Sequence, residues 1–130
     1  MQRLILIVED EMLVGLDLSG AFQDAGFRTR MARDMTSALR IAANDPVALA
    51  TMDVNLAQDD DGVETALRLR RSYCVPSVFV SASLDDETRA RAKASDPIGF
   101  LDKPFHTRQV VALVQHYLAE NAEPDARRHG

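Results

Sequence analysis

The sequence predicts an α/β fold, a doubly wound parallel sheet of five strands with helices on both faces. Short apolar runs alternate with amphipathic stretches along almost the whole chain, which is the order a β-α repeat produces. Most of the runs are apolar throughout rather than at every second residue, as strands covered on both faces require. The totals agree: 130 residues, 46% apolar and 27% charged, suit one ordinary globular core.

The first strand is expected at 4–8 (LILIV) and the first helix at 12–25, where Leu13, Leu16, Ala21 and Phe22 recur at helical spacing and Gly26 is placed to stop the helix. The second strand, 27–31, alternates Phe27, Thr29 and Met31 against Arg28 and Arg30, which suits an edge with one solvated side. Asp34 can cap a helix over 34–44 that turns Ala38, Leu39 and Ile41 inward. The third strand spans 48–53. The helix after it, 62–73, carries Val63, Ala66, Leu67 and Leu69 inward, with Arg68, Arg70 and Arg71 as solvated charges. The fourth strand is 77–81, and Asp85 can cap a polar, weakly packed helix over 86–95. The fifth strand is 98–102, and Thr107 opens a last helix with Val110, Val111, Leu113, Val114 and Leu118 as its buried stripe. Right-handed crossovers between five such units favour the flavodoxin-like (βα)5 order 2-1-3-4-5. A domain of 1–119 is thus expected, followed by a disordered tail over 120–130.

A net charge of −5 gives the chain no overall basic field, so direct nucleic-acid binding is not expected. The single cysteine, Cys74, cannot form an internal disulfide and reads as a small apolar residue near a strand start. Residues 4–8 are too few to cross a membrane, and Glu9, Asp10 and Glu11 follow where a cleavable signal would need apolar and small residues. The expectation is a cytoplasmic protein without membrane contact. His106, His116 and His129 fall in no motif and read as surface residues, and Asp59, Asp60 and Asp61 read as a solvated loop.

The informative feature is what stands at the carboxyl ends of the strands, where this fold builds its sites. Strand one ends in Glu9-Asp10, strand three in Asp53, strand four in Ser81, and strand five runs into Lys103-Pro104. Glu11 reads as a first-turn helix residue rather than a ligand. Carboxylates on adjacent strand ends repel one another, and a cation relieves them; an all-oxygen, partly hydrated site suits magnesium. Asp53, central among the strands, is the best-placed nucleophile for an in-line phosphoryl transfer and would form an acyl phosphate. Lys103 offers a point charge to the phosphoryl group and Ser81 a hydroxyl hydrogen bond.

The motifs Val8-Glu9-Asp10-Glu11, Met52-Asp53-Val54-Asn55-Leu56, Val80-Ser81-Ala82 and Phe100-Leu101-Asp102-Lys103-Pro104-Phe105 resemble, together and in order, the receiver domain of two-component response regulators over about residues 3–119. The resemblance implies that Asp53 is the phosphoacceptor and also ligates Mg2+. Asp10 is then a direct metal ligand, Glu9 acts largely through water, and Asn55 supplies its backbone carbonyl. It implies further that Ser81 and Lys103 bind the phosphoryl group, that Ser81 and Phe100 form the switch, and that the Lys103–Pro104 peptide is cis. The family's usual proline four residues after the phosphoacceptor and glycine eight after it are here Ala57 and, one place later, Gly62.

The implied partners are a histidine kinase or phosphotransfer protein and a downstream target protein. The implied behaviour is that of a self-phosphorylating and self-dephosphorylating switch rather than a turnover enzyme. No output domain is visible, so a stand-alone receiver is expected, and Met1, two residues before the resemblance begins at about residue 3, argues against missing N-terminal sequence. The competing reading is a small magnesium-dependent phosphohydrolase with an aspartyl-phosphate intermediate. Against it, Asp53-Val54-Asn55 lacks a second acid two residues on, and no inserted cap forms a substrate pocket. A flavin-binding module is disfavoured because no Ser/Thr/Gly-rich loop follows strand one to hold a phosphate.

Overall fold

A computed structural model describes residues 2–121. Of the tail expected over 120–130, Glu120 is the last residue of the final helix and Asn121 caps it, while 122–130, His129 included, lie outside the described residues. The elements run β1 (Leu4–Val8), α1 (Met12–Asp24), β2 (Arg28–Ala32), α2 (Met35–Asn44), β3 (Val47–Met52), α3 (Gly62–Tyr73), β4 (Ser77–Ser81), α4 (Asp86–Ala92), β5 (Gly99–Asp102) and α5 (Thr107–Glu120). All strand pairs are parallel, in the order β2-β1-β3-β4-β5. This is the flavodoxin-like arrangement, with its winding reversed between β1 and β3.

Side chains alternate across a strand, so the apolar runs feed two cores at once. Leu6, Val8, Ala50, Met52 and Phe79 face one side, where Ile41 of α2, Ala66 and Leu69 of α3 and Ala92 of α4 meet them. Ile5, Ile7, Leu49, Val78 and Val80 face the other, against Leu18 and Phe22 of α1 and Val110, Val111 and Val114 of α5. On α5, Leu113 and Leu118 lie half-buried at the margin of the stripe.

Helix starts follow local hydrogen bonding. Asp34 accepts from the Ser37 N–H at 2.8 Å, Asp61 from Val63 at 2.9 Å and Asp85 from Thr88 at 2.8 Å. Gly26, at φ 95°, takes the left-handed position after α1.

Several expectations need correcting. Leu13 and Leu16 point outward, at 81% and 52% exposure, while α1 buries Gly15, Leu18, Ser19 and Phe22. Gly15 and Ser19 are too small to register in an apolar pattern, yet they let the helix lie close to the sheet. Met31 is exposed on β2, which begins one residue later than expected. Cys74 is no buried apolar residue: it is exposed and closes α3 in the left-handed conformation at φ 58°. Arg70 is not free in solvent, because its guanidinium donates to the carbonyls of Ser95 at 3.0 Å and Asp96 at 2.6 Å. The fourth helix is shorter than 86–95; α4 stops at Ala92 and a 3-10 turn over Lys93–Ser95 completes it. Among the described residues no helix is long and apolar enough to cross a membrane.

Candidate functional site

The site forms where β1 and β3 end side by side. The Asp53 N–H donates to the Val8 carbonyl at 3.0 Å and the Glu9 N–H to the Ala32 carbonyl at 2.9 Å, so sheet pairing continues past the strands and fixes both acids. Asp53 and Glu9 are buried, at 7% and 5% exposure. One Asp53 oxygen, Oδ1, accepts from the Val54 N–H at 2.7 Å, and the other, Oδ2, lies 3.1 Å from Lys103 Nζ. The same ammonium reaches Glu9 Oε1 at 3.0 Å and Glu11 Oε1 at 2.9 Å. Its backbone is anchored too, by donation to the Ser81 carbonyl at 3.0 Å, and the following Lys103–Pro104 peptide is cis.

These contacts set the electrostatics. Burial pushes the Glu9 carboxyl up to about 7, against the Glu11 N–H and the Lys103 ammonium, which pull it down; the charge of Asp53 pushes with burial. Burial works against the Lys103 ammonium, but its bonds to Glu11, Glu9 and Asp53 outweigh that and hold its pKa above the ordinary lysine value.

Ser81 is fully buried, and its Oγ accepts from the Ser83 N–H at 3.2 Å and the Val54 N–H at 3.4 Å, beside the Asp53 peptide. Asn55 turns its side chain to Ser83 Oγ, at 2.8 Å. Phe100 stacks on Phe79 with ring centroids 5.6 Å apart, and the Arg89 guanidinium lies 5.0 Å from its centroid. Arg89 also donates to the Leu84 carbonyl at 2.9 Å and to Asp102 at 3.2 Å.

Asp10 stands apart from the other acids. It is exposed and its Oδ1 lies 3.2 Å from the Arg33 guanidinium. Among the described residues no three His, Cys, Asp or Glu side chains are gathered as a ligand set. The donors of Glu9, Asp10, Asp53 and the Asn55 carbonyl are all oxygen, which fits the chemistry of a hard divalent cation such as magnesium. The repulsion foreseen among the acids is relieved here by Lys103 and Arg33.

Sequence reasoning missed three contributors. Glu11 is the N-cap residue of α1 and a partner of Lys103. Arg33 follows the carboxyl end of β2, the one strand end the reading did not inspect. Gly62 packs so tightly that a β-carbon on it would lie 1.8 Å from the Asp53 carbonyl oxygen. The acidic run is not merely solvated either: Asp60 accepts from the Met35 N–H at 2.9 Å, and Asp61 caps α3 and pairs with Arg91.

An acidic crevice at the switch point of a doubly wound sheet defines the class of α/β domain that works from its strand ends. Residues 5–115 match the response regulator receiver domain, and the chain belongs to that family, whose business is phosphorylation-based signalling. It is 32% identical over 114 residues to the transcriptional activator protein IrlR of Burkholderia pseudomallei, covering 88% of this chain and 49% of that protein. The chain spans between about a quarter and a half of the curated relatives it matches. Among solved structures, the signal receiver domain of a modulated diguanylate cyclase from Desulfovibrio desulfuricans superimposes with a TM-score of 0.83 at 30% identity, covering 92% of this chain and 96% of that one. A response regulator protein from Burkholderia pseudomallei, solved with a phosphorylated aspartic acid, calcium ion and citrate, has a TM-score of 0.80 at 19% identity, with coverages of 93% and 74%.

Proposed function

We propose that this chain is a cytoplasmic receiver that takes a phosphoryl group onto Asp53 from a histidine kinase or phosphotransfer protein. The observation that carries the reading is the buried Asp53 carboxylate with its Oδ2 held 3.1 Å from Lys103. A carboxylate oxygen of Asp53 attacks phosphorus, the new O–P bond forms, and the bond to the donor breaks with its electron pair leaving on the donor. Lys103 then follows the charge onto the phosphoryl oxygens, and Ser81 turns its hydroxyl from the Val54 and Ser83 amides to donate to one of them. Asp10 and Asp53, with Glu9 and the Asn55 carbonyl, would hold magnesium, which when bound supplies positive charge to the transferring group. Water attack on phosphorus then breaks the Asp53 O–P bond, releases inorganic phosphate and returns the free carboxylate, so the chain resets itself as a switch rather than acting as a turnover enzyme.

The donor protein docks on α1. Met12, Leu13 and Leu16 are exposed at 69%, 81% and 52%, directly after the Glu9-Asp10-Glu11 rim of the crevice. A donor that covers this apolar face is brought within reach of the crevice. Readout lies on α4 and β5, because Ser81 and Phe100 stand on the strands that α4 joins, and a downstream target protein senses that side.

Incubation with acetyl phosphate and magnesium is expected to give one acid-stable, base-labile phosphate per chain. Asp53→Asn is expected to abolish it. Uptake by Asp53→Asn at the normal rate would overturn the assignment.

A further inference from the structure

Arg33 is exposed, yet its place is fixed from both sides. The register of β2 on β1 pairs Ala32 with Val8, so the residues that follow, Arg33 and Glu9, leave the sheet together. The Arg33 carbonyl also accepts from the Ala57 N–H at 2.9 Å, which fastens its backbone to the phosphoacceptor loop. The side chain then extends over a cavity of about 210 Å3 lined by Glu9, Asp10, Met12, Met31 and Ala32, and its Nη2 meets Asp10 Oδ1 at 3.2 Å. The acids are thus divided between two protein cations, with Glu9, Glu11 and Asp53 on Lys103 and Asp10 on Arg33.

We infer that Arg33 is a resident counter-ion of Asp10 that competes with the divalent cation, and so sets how much metal the crevice needs. The inference rests on the receiver reading for the identity of the cation. A metal that uses Asp10 must first take it from the guanidinium, and it enters a rim made less negative by one charge. With side-chain exposures of 68% and 41% the pair is well solvated, so the competition is modest. Arg30, three residues earlier and within β2, is the natural comparison: it carries the same charge but pairs with Asp45, at 2.9 Å.

The test is binding of magnesium chloride alone, followed by amide NMR shifts at physiological ionic strength, where charges beyond about 8 Å are screened. Arg33→Ala is expected to bind magnesium about two- to fivefold more tightly than the natural chain, the range a solvated ion pair allows. Arg33→Lys is expected to stay near the natural affinity, and Arg30→Ala likewise. Unchanged or weaker binding by Arg33→Ala would overturn the inference while leaving the receiver reading in place. Equal tightening by Arg30→Ala would also overturn it, since net charge would then suffice. If the natural chain and every variant ignore magnesium while Asp53 still takes phosphate, the competition is refuted. If Asp53 takes none either, the receiver reading falls with it.

Discussion

A β-carbon at Gly62 would collide with the carbonyl of Asp53, and the neighbouring bond from the Gly62 N–H to the Val54 carbonyl, at 2.7 Å, draws the two segments together. The obstacle is backbone on both sides, which cannot swing aside as a side chain can. Gly62→Ala is therefore expected to cost about 2–3 kcal/mol, the upper part of the overpacking range, and to slow phosphate uptake by shifting Asp53. A thermal melt and an acetyl phosphate assay check the two effects separately. At this scale Glu9, Asp10, Asp53, Ser81 and Lys103 were legible in the sequence, because each stands at a strand end and carries a chemistry a core does not need. Gly62 showed only as a glycine one place out of position, since close approach of backbones leaves no polarity signal. Arg33 obeyed the same strand-end rule as the others and could have been found by applying it to β2.

Apolar side chains hold most helices here, but α4 is tied down by arginines. It buries only Ala92, while Arg89 spans Leu84, Phe100 and Asp102, and Arg91 pairs with Asp61 at the start of α3. Solvated ion pairs of this kind contribute little each, so α4 belongs to the easily opened part of the fold. Arg91→Ala is expected to speed amide hydrogen exchange in 86–95 severalfold and to leave β1 and β3 unchanged, which exchange followed by mass spectrometry would show. The weak packing of α4 could be read from its lack of large apolar residues, whereas its arginine contacts could not, since their partners are distant in sequence. Helix α1 misled in the opposite way: Leu13 and Leu16 match a helical spacing but serve the surface. Leu13→Asp with Leu16→Asp is expected to cut phosphoryl transfer from a protein donor at least tenfold, with uptake from acetyl phosphate near normal. Equal losses with both donors would show that the face supports the fold and not docking.

For the molecule as a whole, stability against acid depends partly on the helix caps. The Ser37 N–H holds the Asp34 carboxyl below its ordinary value, and Thr88 does the same for Asp85. A carboxyl whose folded pKa is depressed stabilises the fold above its unfolded pKa, and that contribution is lost as pH falls through the folded value. Asp34→Ala is thus expected to cost about 1 kcal/mol near neutrality. The gap from the natural chain should narrow as pH drops below the unfolded value of 3.8, and melts over a pH series would follow it. Strand order and the two-faced sheet were legible as a whole because apolar runs of five or six residues can be buried only from both sides. The sheet that results is also a partition. Leu6 and Val8 face α2, α3 and α4, Ile5 and Ile7 face α1 and α5, and among the described residues no buried side chain belongs to both cores. The surface proposed to meet a donor and the surface proposed to meet a target therefore rest on separate foundations. Recognition of one partner can be rewritten, by chance or by design, without rebuilding the ground beneath the other.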